Sequence, residues 1–149
     1  MLWQTGRALP IATRMTAPAL APIAHPDAGW LVACLCARWC NTCEAYRVTF
    51  AQVAAQFPAL RFVWVDIEDE ADTLGDAALE VENFPTVMLL QHGRPRFFGT
   101  LLPHASTLSR TLTAALAGEL AGAGLGTTAD ALAPGVLRVA AHDEASAPR

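Results

Sequence analysis

The sequence predicts one α/β domain in which a central mixed sheet is flanked by helices. A continuous apolar run, Trp30–Cys36, has the pattern of a strand that is buried on both faces. A helical period follows this run, and a second strand-like segment follows the helix, which is the order of a parallel crossover. The 149 residues also match the length of one domain, about 100–200 residues.

Local composition places the other elements. Strands are expected at Trp30–Cys36, Arg61–Ile67, Thr86–Gln91 and Arg96–Thr100, with a tight hairpin connection at His92–Pro95. The first helix is expected to bury one face, made of Cys43, Tyr46, Phe50, Val53 and Phe57, and to end at Pro58. A short helix is expected over Thr73–Val81. A last helix is expected with Ser106 as its N-cap and with Leu108, Leu112 and Leu116 buried.

The termini are predicted to lie outside this domain, which then spans residues 30–120. Residues 1–29 are rich in Ala and Pro and predict an irregular arm, and residues 121–149 are rich in Ala, Gly and Pro and predict a flexible tail. Arginines and prolines interrupt every apolar stretch of the first 25 residues, so we expect no secretory signal and a cytoplasmic protein. Translation from Met15 instead of Met1 is an open alternative.

Composition excludes several function classes. Hydrophobic residues make up 53% of the chain and charged residues 16%, which is unlike a disordered protein. The longest apolar run is far shorter than the ~20 residues that span a bilayer. All ten basic residues are arginine and the net charge is −4, so we expect neither a nucleic-acid partner nor a membrane partner.

Four cysteines lie close together: Cys34, Cys36, Cys40 and Cys43. A disulfide scaffold would spread its cysteines along the chain, so this cluster indicates a functional site. Cys40 and Cys43 form a C-x-x-C motif at a strand-to-helix junction, where the helix N-terminus favours an anion such as a thiolate. Cys43, one turn deeper, is placed to resolve a mixed disulfide. The motif predicts redox chemistry, with two ordinary core cysteines as the structural alternative.

The segment from Ala37 to Cys43, Ala-Arg-Trp-Cys-Asn-Thr-Cys, resembles the active-site motif of the thioredoxin family. Further landmarks follow in the family's order: Val65-Asp66-Ile67 at a strand end, Asn83-Phe84-Pro85-Thr86 as the cis-proline loop, Gly93 in the hairpin and Phe98-Gly99-Thr100 as the last-strand glycine loop. The resemblance covers residues 30–120. It implies a thioredoxin fold and a thiol–disulfide oxidoreductase that reduces protein disulfides.

The resemblance also implies roles for individual residues. Cys40 is expected to be the nucleophile and Cys43 the resolving cysteine, with no cofactor. The Phe84-Pro85 bond is expected to be cis and to lie against the disulfide. The residues expected to contact substrate are Trp39, Phe84, Pro85 and Gly99. Expected partners are disulfide-containing proteins and a thioredoxin reductase as electron donor, and we expect a monomer.

The sequence departs from the family in the strand before the motif. Thioredoxins commonly carry a buried aspartate there, paired with a lysine on the neighbouring strand, as a proton relay for the deeper cysteine. Here Cys34 stands at the aspartate position, the lysine position falls on or near Trp64, and the chain has no lysine. Deprotonation of Cys43 therefore has to use another base, water or no base at all.

Three alternatives to this interpretation stay open at this point. Cys34 either packs as a small buried hydrophobe or exchanges with Cys43 as an auxiliary thiol. The four cysteines could also bind zinc or an iron–sulfur cluster, although a central strand cannot easily wrap around one ion. A non-catalytic adaptor that binds a protein partner is the third alternative. The acidic stretch from Asp66 to Glu82 lacks the glycine and the glutamate of a calcium loop, so it predicts a solvated acidic surface.

Overall fold

The computed structural model describes residues 29–120 and 125–146. In chain order its elements are strand β1 (Trp30–Cys36), helix α1 (Asn41–Gln56), strand β2 (Arg61–Asp66), helix α2 (Ala71–Leu74), a 3-10 helix (Asp76–Glu80), strands β3 (Thr86–Gln91) and β4 (Arg94–Thr100), helix α3 (Ala105–Leu116) and helix α4 (Thr127–Ser146). Of the predicted N-terminal arm only Gly29 is described, so that prediction lies outside the described residues.

The sheet is mixed, as predicted. Its strand order is β2-β1-β3-β4, with β1 parallel to β2 and antiparallel to β3, and β3 antiparallel to β4. All seven residues of β1 are buried, because strands flank it on both sides and helices cover both faces of the sheet. The prediction of a strand buried on both faces at the continuous apolar run is therefore confirmed.

The two faces of the sheet support separate cores. Side chains alternate along a strand, so Leu31, Ala33 and Leu35 face one way while Val32, Cys34 and Cys36 face the other. The first set packs with α2, the 3-10 helix and α4, and the second set packs with α1 and α3. The cysteines of β1 consequently lie under helix α1, which carries the other two cysteines.

The prediction of a flexible C-terminal tail is wrong for residues 127–146, because these residues form α4. Leu132 and Val136 are fully buried in the core on the α2 side of the sheet. A Cβ atom at Gly135 would lie 2.8 Å from the carbonyl oxygen of Thr73 and 3.0 Å from the Cα of Leu74. The small residues that suggest a loose tail in the sequence instead allow α4 to approach α2 closely.

Several predicted boundaries also shift. Gly75, with φ at +77°, separates α2 from the 3-10 helix, so the single helix predicted over Thr73–Val81 is interrupted. Helix α3 begins at Ala105 with His104 as its N-cap, and Ser106 lies inside its first turn. Leu108 and Leu112 are buried in α3, while Leu116 is only partly buried.

The hairpin is tighter than predicted. Only His92 and Gly93 form its turn, both with positive φ, and Arg94 and Pro95 already pair in β4. An additional backbone bond, in which His92 N–H donates to the Gly29 carbonyl at 2.9 Å, ties the turn to the start of β1. None of the helices formed by residues 29–120 and 125–146 combines the length and the apolar character needed to cross a bilayer.

We expect the substitution Leu132→Ala to lower the free energy of unfolding by about 2–5 kcal/mol, because it leaves a cavity between α4 and the sheet. Leu137→Ala on the same helix is the matched control, since Leu137 is 37% exposed, and we expect it to cost less than about 1 kcal/mol. Urea denaturation measures both values. Equal and small effects of the two substitutions would show that α4 does not pack on the sheet in solution.

Candidate functional site

The four cysteines meet where β1 ends and α1 begins. Cys36 is the last residue of β1, and its carbonyl accepts a hydrogen bond from Ile67 N–H at 2.9 Å. The chain then turns sharply, because Cys40 N–H donates to the Ala37 carbonyl at 3.0 Å. Cys40 is the N-cap residue of α1, directly before the first helical residue, and its carbonyl accepts from Glu44 N–H. This turn brings the end of the strand under the first turn of the helix.

The disulfide of this structure joins Cys36 to Cys43. Their Cα atoms are 5.9 Å apart, inside the range of about 4.4–6.8 Å that a disulfide requires. Cys40 is a free thiol of intermediate burial. The bridged pair is therefore not Cys40 with Cys43, the couple expected from the C-x-x-C motif. The catalytic roles of Cys40 and Cys43 stay predictions.

The physical reason for this pairing is side-chain alternation in β1. Cys36 points to the face of the sheet that α1 covers, so its sulfur lies directly below the first turn of that helix. Cys36 and Cys43 are both nearly inaccessible, at 1% and 2% exposure. The spacing of the C-x-x-C motif could not identify Cys36 as a partner of Cys43, because Cys36 lies outside the motif. The sequence did indicate that Cys36 faces the same side of the strand as Cys34, since the two residues are two positions apart.

Cys34 lies two residues before Cys36 on β1, in the same core between the sheet and helix α1. Its Sγ atom is 3.7 Å from that of Cys36, and its residue has no solvent exposure. Burial raises the pKa of the Cys34 thiol well above its ordinary value, and nearby Arg47 offsets part of this rise. Cys34 is therefore a protonated thiol in this environment. Its role as an auxiliary redox thiol stays a prediction.

The surroundings of Cys34 differ from an aspartate–lysine relay. Cys34 pairs in register with Trp64 on β2, the position expected for the missing lysine. A positive charge reaches this region from the helix instead, since the guanidinium of Arg47 lies 4.6 Å from the centre of the Trp64 ring. A cavity of about 240 Å³ lined by Cys43, Arg47, Glu44 and other polar residues opens beside this stack.

Trp39 and Phe84 come together at the surface beside the motif. Trp39 is 66% exposed, and its ring meets that of Phe84 edge-on with the centroids 5.6 Å apart. Its indole Nε1–H donates to Glu68 Oε2 at 3.1 Å, which fixes the orientation of the ring. Phe84-Pro85 is the one cis peptide bond among the described residues, as the resemblance implies. The predicted contact residues Trp39, Phe84 and Pro85 thus form one region.

Gly99 lies near the same end of the sheet as Pro85, but it does not belong to a loop. It pairs with Val87 inside β4, whereas the resemblance suggests a glycine loop at this position. Just after β4 ends, Leu101 N–H donates a hydrogen bond to the Pro85 carbonyl at 3.4 Å, which connects the end of this strand to the cis-proline. The role of Gly99 in contacting substrate stays a prediction.

An open groove of about 880 Å³ extends from Trp39 and Phe84 toward α2 and the 3-10 helix. Its most exposed apolar side chain is Leu79, at 81%, and Ile67 also lines it. The acidic residues that line the groove are Glu68, Asp72, Asp76 and Glu82. The sequence analysis missed Leu79 and Ile67 as groove residues. The acidic stretch is interpreted from the sequence as a solvated surface that could steer an arginine- or lysine-rich partner, and that steering role stays a prediction.

The metal-binding alternative gains no support from the described part of the chain. Within it, no group of three or more His, Cys, Asp or Glu side chains is arranged to hold a metal ion. Two of the four thiols are moreover joined to each other in this structure.

We expect Tyr46→Phe to raise the free energy of unfolding by about 1–3 kcal/mol, because the buried Tyr46 hydroxyl has no hydrogen-bond partner among the described residues. Burial raises the pKa of this hydroxyl, so the group is neutral at physiological pH. Urea denaturation of the oxidised proteins measures the change. A loss of stability would reveal a hydrogen bond that this arrangement does not contain.

Comparisons with known proteins find related sequences. The family model described as Thioredoxin matches residues 21–110. A curated protein of Arabidopsis thaliana, described as "Putative thioredoxin H10", is 36% identical over 64 residues, which are 43% of this chain and 40% of that protein. The matched segment thus spans less than half the length of that relative.

Solved structures share the fold. Oxidised thioredoxin from Plasmodium falciparum superposes with a TM-score of 0.51 at 14% identity, over 59% of this chain and 82% of that one. Thioredoxin from Trypanosoma brucei brucei gives 0.51 at 20% identity, over 59% and 75% of the two chains. At such identities the likeness shows the fold alone. The family model covers more than half of this chain, the mixed sheet has the matching architecture, and a cysteine pair lies at the start of the first helix. This chain therefore belongs to the thioredoxin family.

Proposed function

We propose that this protein is a thiol–disulfide oxidoreductase that reduces disulfides of other proteins through Cys40 and Cys43. The observation that carries the proposal is the free, partly exposed Cys40 at the N-cap of α1, one turn from the buried Cys43. The first backbone N–H groups of a helix have no hydrogen-bond partner within the helix, so they are available to a group that binds at this end. The thiolate is the nucleophilic form of cysteine.

The proposed reaction has two exchange steps and starts from the form in which both thiols are reduced. The Cys40 thiolate attacks one sulfur of the substrate disulfide, so that a mixed disulfide forms and the other substrate sulfur leaves as a thiolate. Cys43 then attacks Cys40, which releases the second substrate thiol and leaves a Cys40–Cys43 disulfide. The substrate gains two electrons and the protein loses two. A thioredoxin reductase is the proposed donor that restores the dithiol, and the cytoplasm is the proposed compartment.

Substrate is proposed to lie along the surface formed by Trp39, Phe84 and Pro85, in an extended conformation beside the start of β3. Gly99 on β4 is proposed to border the same chain. The groove beyond Trp39 offers room for an apolar substrate side chain near Leu79. Its acidic rim favours basic residues next to that side chain through charge complementarity.

We expect Cys40→Ser to abolish reduction of insulin disulfides by dithiothreitol-driven turnover, because no exposed thiolate remains to attack the substrate. Val48→Ser is the control, since Val48 lies on the exposed side of the same helix and should leave turnover unchanged. The assay follows insulin precipitation with time. A wild-type protein that binds partner proteins but does not accelerate precipitation would favour the adaptor alternative.

We expect a peptide disulfide with Lys beside its apolar residue to be reduced with a higher kcat/KM than the same peptide with Glu there. The acidic rim made of Glu68, Asp72, Asp76 and Glu82 attracts the first peptide and repels the second. Added NaCl should narrow the difference, because salt screens exposed charges beyond about 8 Å at physiological ionic strength. Equal kcat/KM values at low salt would show that substrate does not occupy the groove.

A further inference from the structure

We propose that Cys36 competes with Cys40 for Cys43, so that the protein has two disulfide isomers, and that Cys40 is the entry through which the buried Cys36–Cys43 bond is opened. This inference rests on the proposed function for the role of the Cys40–Cys43 pair. It adds a third redox residue, Cys36, which lies outside the C-x-x-C motif. The structure holds one isomer, with Cys36 bound to Cys43 and Cys40 free.

The observed disulfide and the spacing of the motif support two partners for Cys43. Cys36 reaches it from the end of β1 across a Cα separation of 5.9 Å. Cys40 is the N-cap residue of the same helix and packs against the cluster that contains Cys36 and Cys43. A pair of cysteines at C-x-x-C spacing on a helix N-terminus is suited to disulfide formation. Cys43 therefore has two candidate partners: Cys36 at the end of β1 and Cys40 at the N-cap of α1.

The exchange between the isomers balances without an external oxidant. The Cys40 thiolate attacks Cys43 Sγ, the Cys40–Cys43 bond forms and the Cys36–Cys43 bond breaks. Cys36 leaves as a thiolate and takes up the proton that Cys40 had released. The number of disulfides stays the same. A subsequent external dithiol can then reduce the Cys40–Cys43 bond with two electrons and two protons.

Burial explains why Cys40 is the entry. At 1% and 2% exposure, Cys36 and Cys43 present almost no surface to an external thiol, whereas Cys40 is partly exposed. Cys34 lies 3.7 Å from Cys36 but is fully buried, and burial keeps it in the unreactive thiol form. Two residues apart on one strand, the Cα atoms of Cys34 and Cys36 are also separated by about 6.4–6.8 Å, the upper limit for a disulfide.

The isomer seen here has a functional consequence. With Cys43 held by Cys36, Cys40 can attack a substrate disulfide, but no free Cys43 thiol is available to release the product. The mixed disulfide then persists. The Cys36–Cys43 isomer thus retains a bound partner, while the dithiol form turns substrate over.

Disulfide mapping tests the first half of the inference. The protein is oxidised to one disulfide per chain, treated with iodoacetamide under native conditions and mapped by mass spectrometry. We expect alkylated Cys40 together with a Cys36–Cys43 crosslink in the same molecules. Unlabelled Cys40 with Cys40–Cys43 as the only crosslink would overturn the inference.

Reduction kinetics test the second half. In Cys40→Ser the Cys36–Cys43 disulfide should be reduced by dithiothreitol at least about tenfold more slowly than in the wild-type protein, because reduction has to wait for local opening. Cys34→Ala is the matched control, since it also removes one thiol near this bond, and its rate should equal that of the wild type. Equally fast reduction of Cys40→Ser would show direct access to Cys43 through the neighbouring cavity and would overturn the role of Cys40.

The variant Cys36→Ser separates this inference from the proposed function, because Cys43 can then pair only with Cys40 within the turn. Insulin reduction by this variant, with no Cys36–Cys43 crosslink in the wild-type map, would reject the inference and support the function. A mapped Cys36–Cys43 bond, without insulin reduction by either protein, would reject the function and support the disulfide isomer.

Discussion

The burial of β1 on both faces is the constraint on which the rest of the structure depends. This strand pairs with β2 and β3 and is covered by helices above and below, so each of its side chains must enter one of two cores. Alternation then fixes which residues face α1. The same geometry that packs Val32 against α1 and α3 also brings Cys34 and Cys36 to the layer that holds Cys43. The chemistry of the site is therefore a consequence of core packing.

The two cores make different contributions to the site. The core between the sheet, α1 and α3 contains the sulfurs and the aromatic residues around Phe50, whose ring meets both Phe62 and Trp64 edge-on. The opposite core is closed by α4, whose small and branched buried residues share one cluster with residues of β1, β2 and β3. Because α4 completes the second layer, β1 is buried on that face as well, and the end of the strand is held in place below the first turn of α1.

Much of this architecture could be predicted from the sequence. The continuous apolar run locates β1, and the helical spacing from Cys43 to Val53 correctly identifies the buried face of α1. Helix α4 could not be predicted in this way. Its Gly135 and Pro134 favour a break in an isolated chain, but the close backbone approach of Gly135 to Thr73 gives the glycine a packing role that composition does not reveal. The groove residue Leu79 was missed for a similar reason, since its exposure depends on where the 3-10 helix lies.

The sequence by itself determined the family resemblance, the strand-to-helix junction at Cys40 and the presence of four cysteines around it, because these depend on residue order and local periodicity. The tertiary structure alone decided that Cys36 lies close enough to bond to Cys43, as it does in this structure. The C-x-x-C spacing along the chain favours Cys40 as the partner of Cys43. The sharp turn after β1, however, places Cys36 beside Cys43 in space. A disulfide requires proximity and orientation of two side chains, and both are set by the packing of α1 on the sheet.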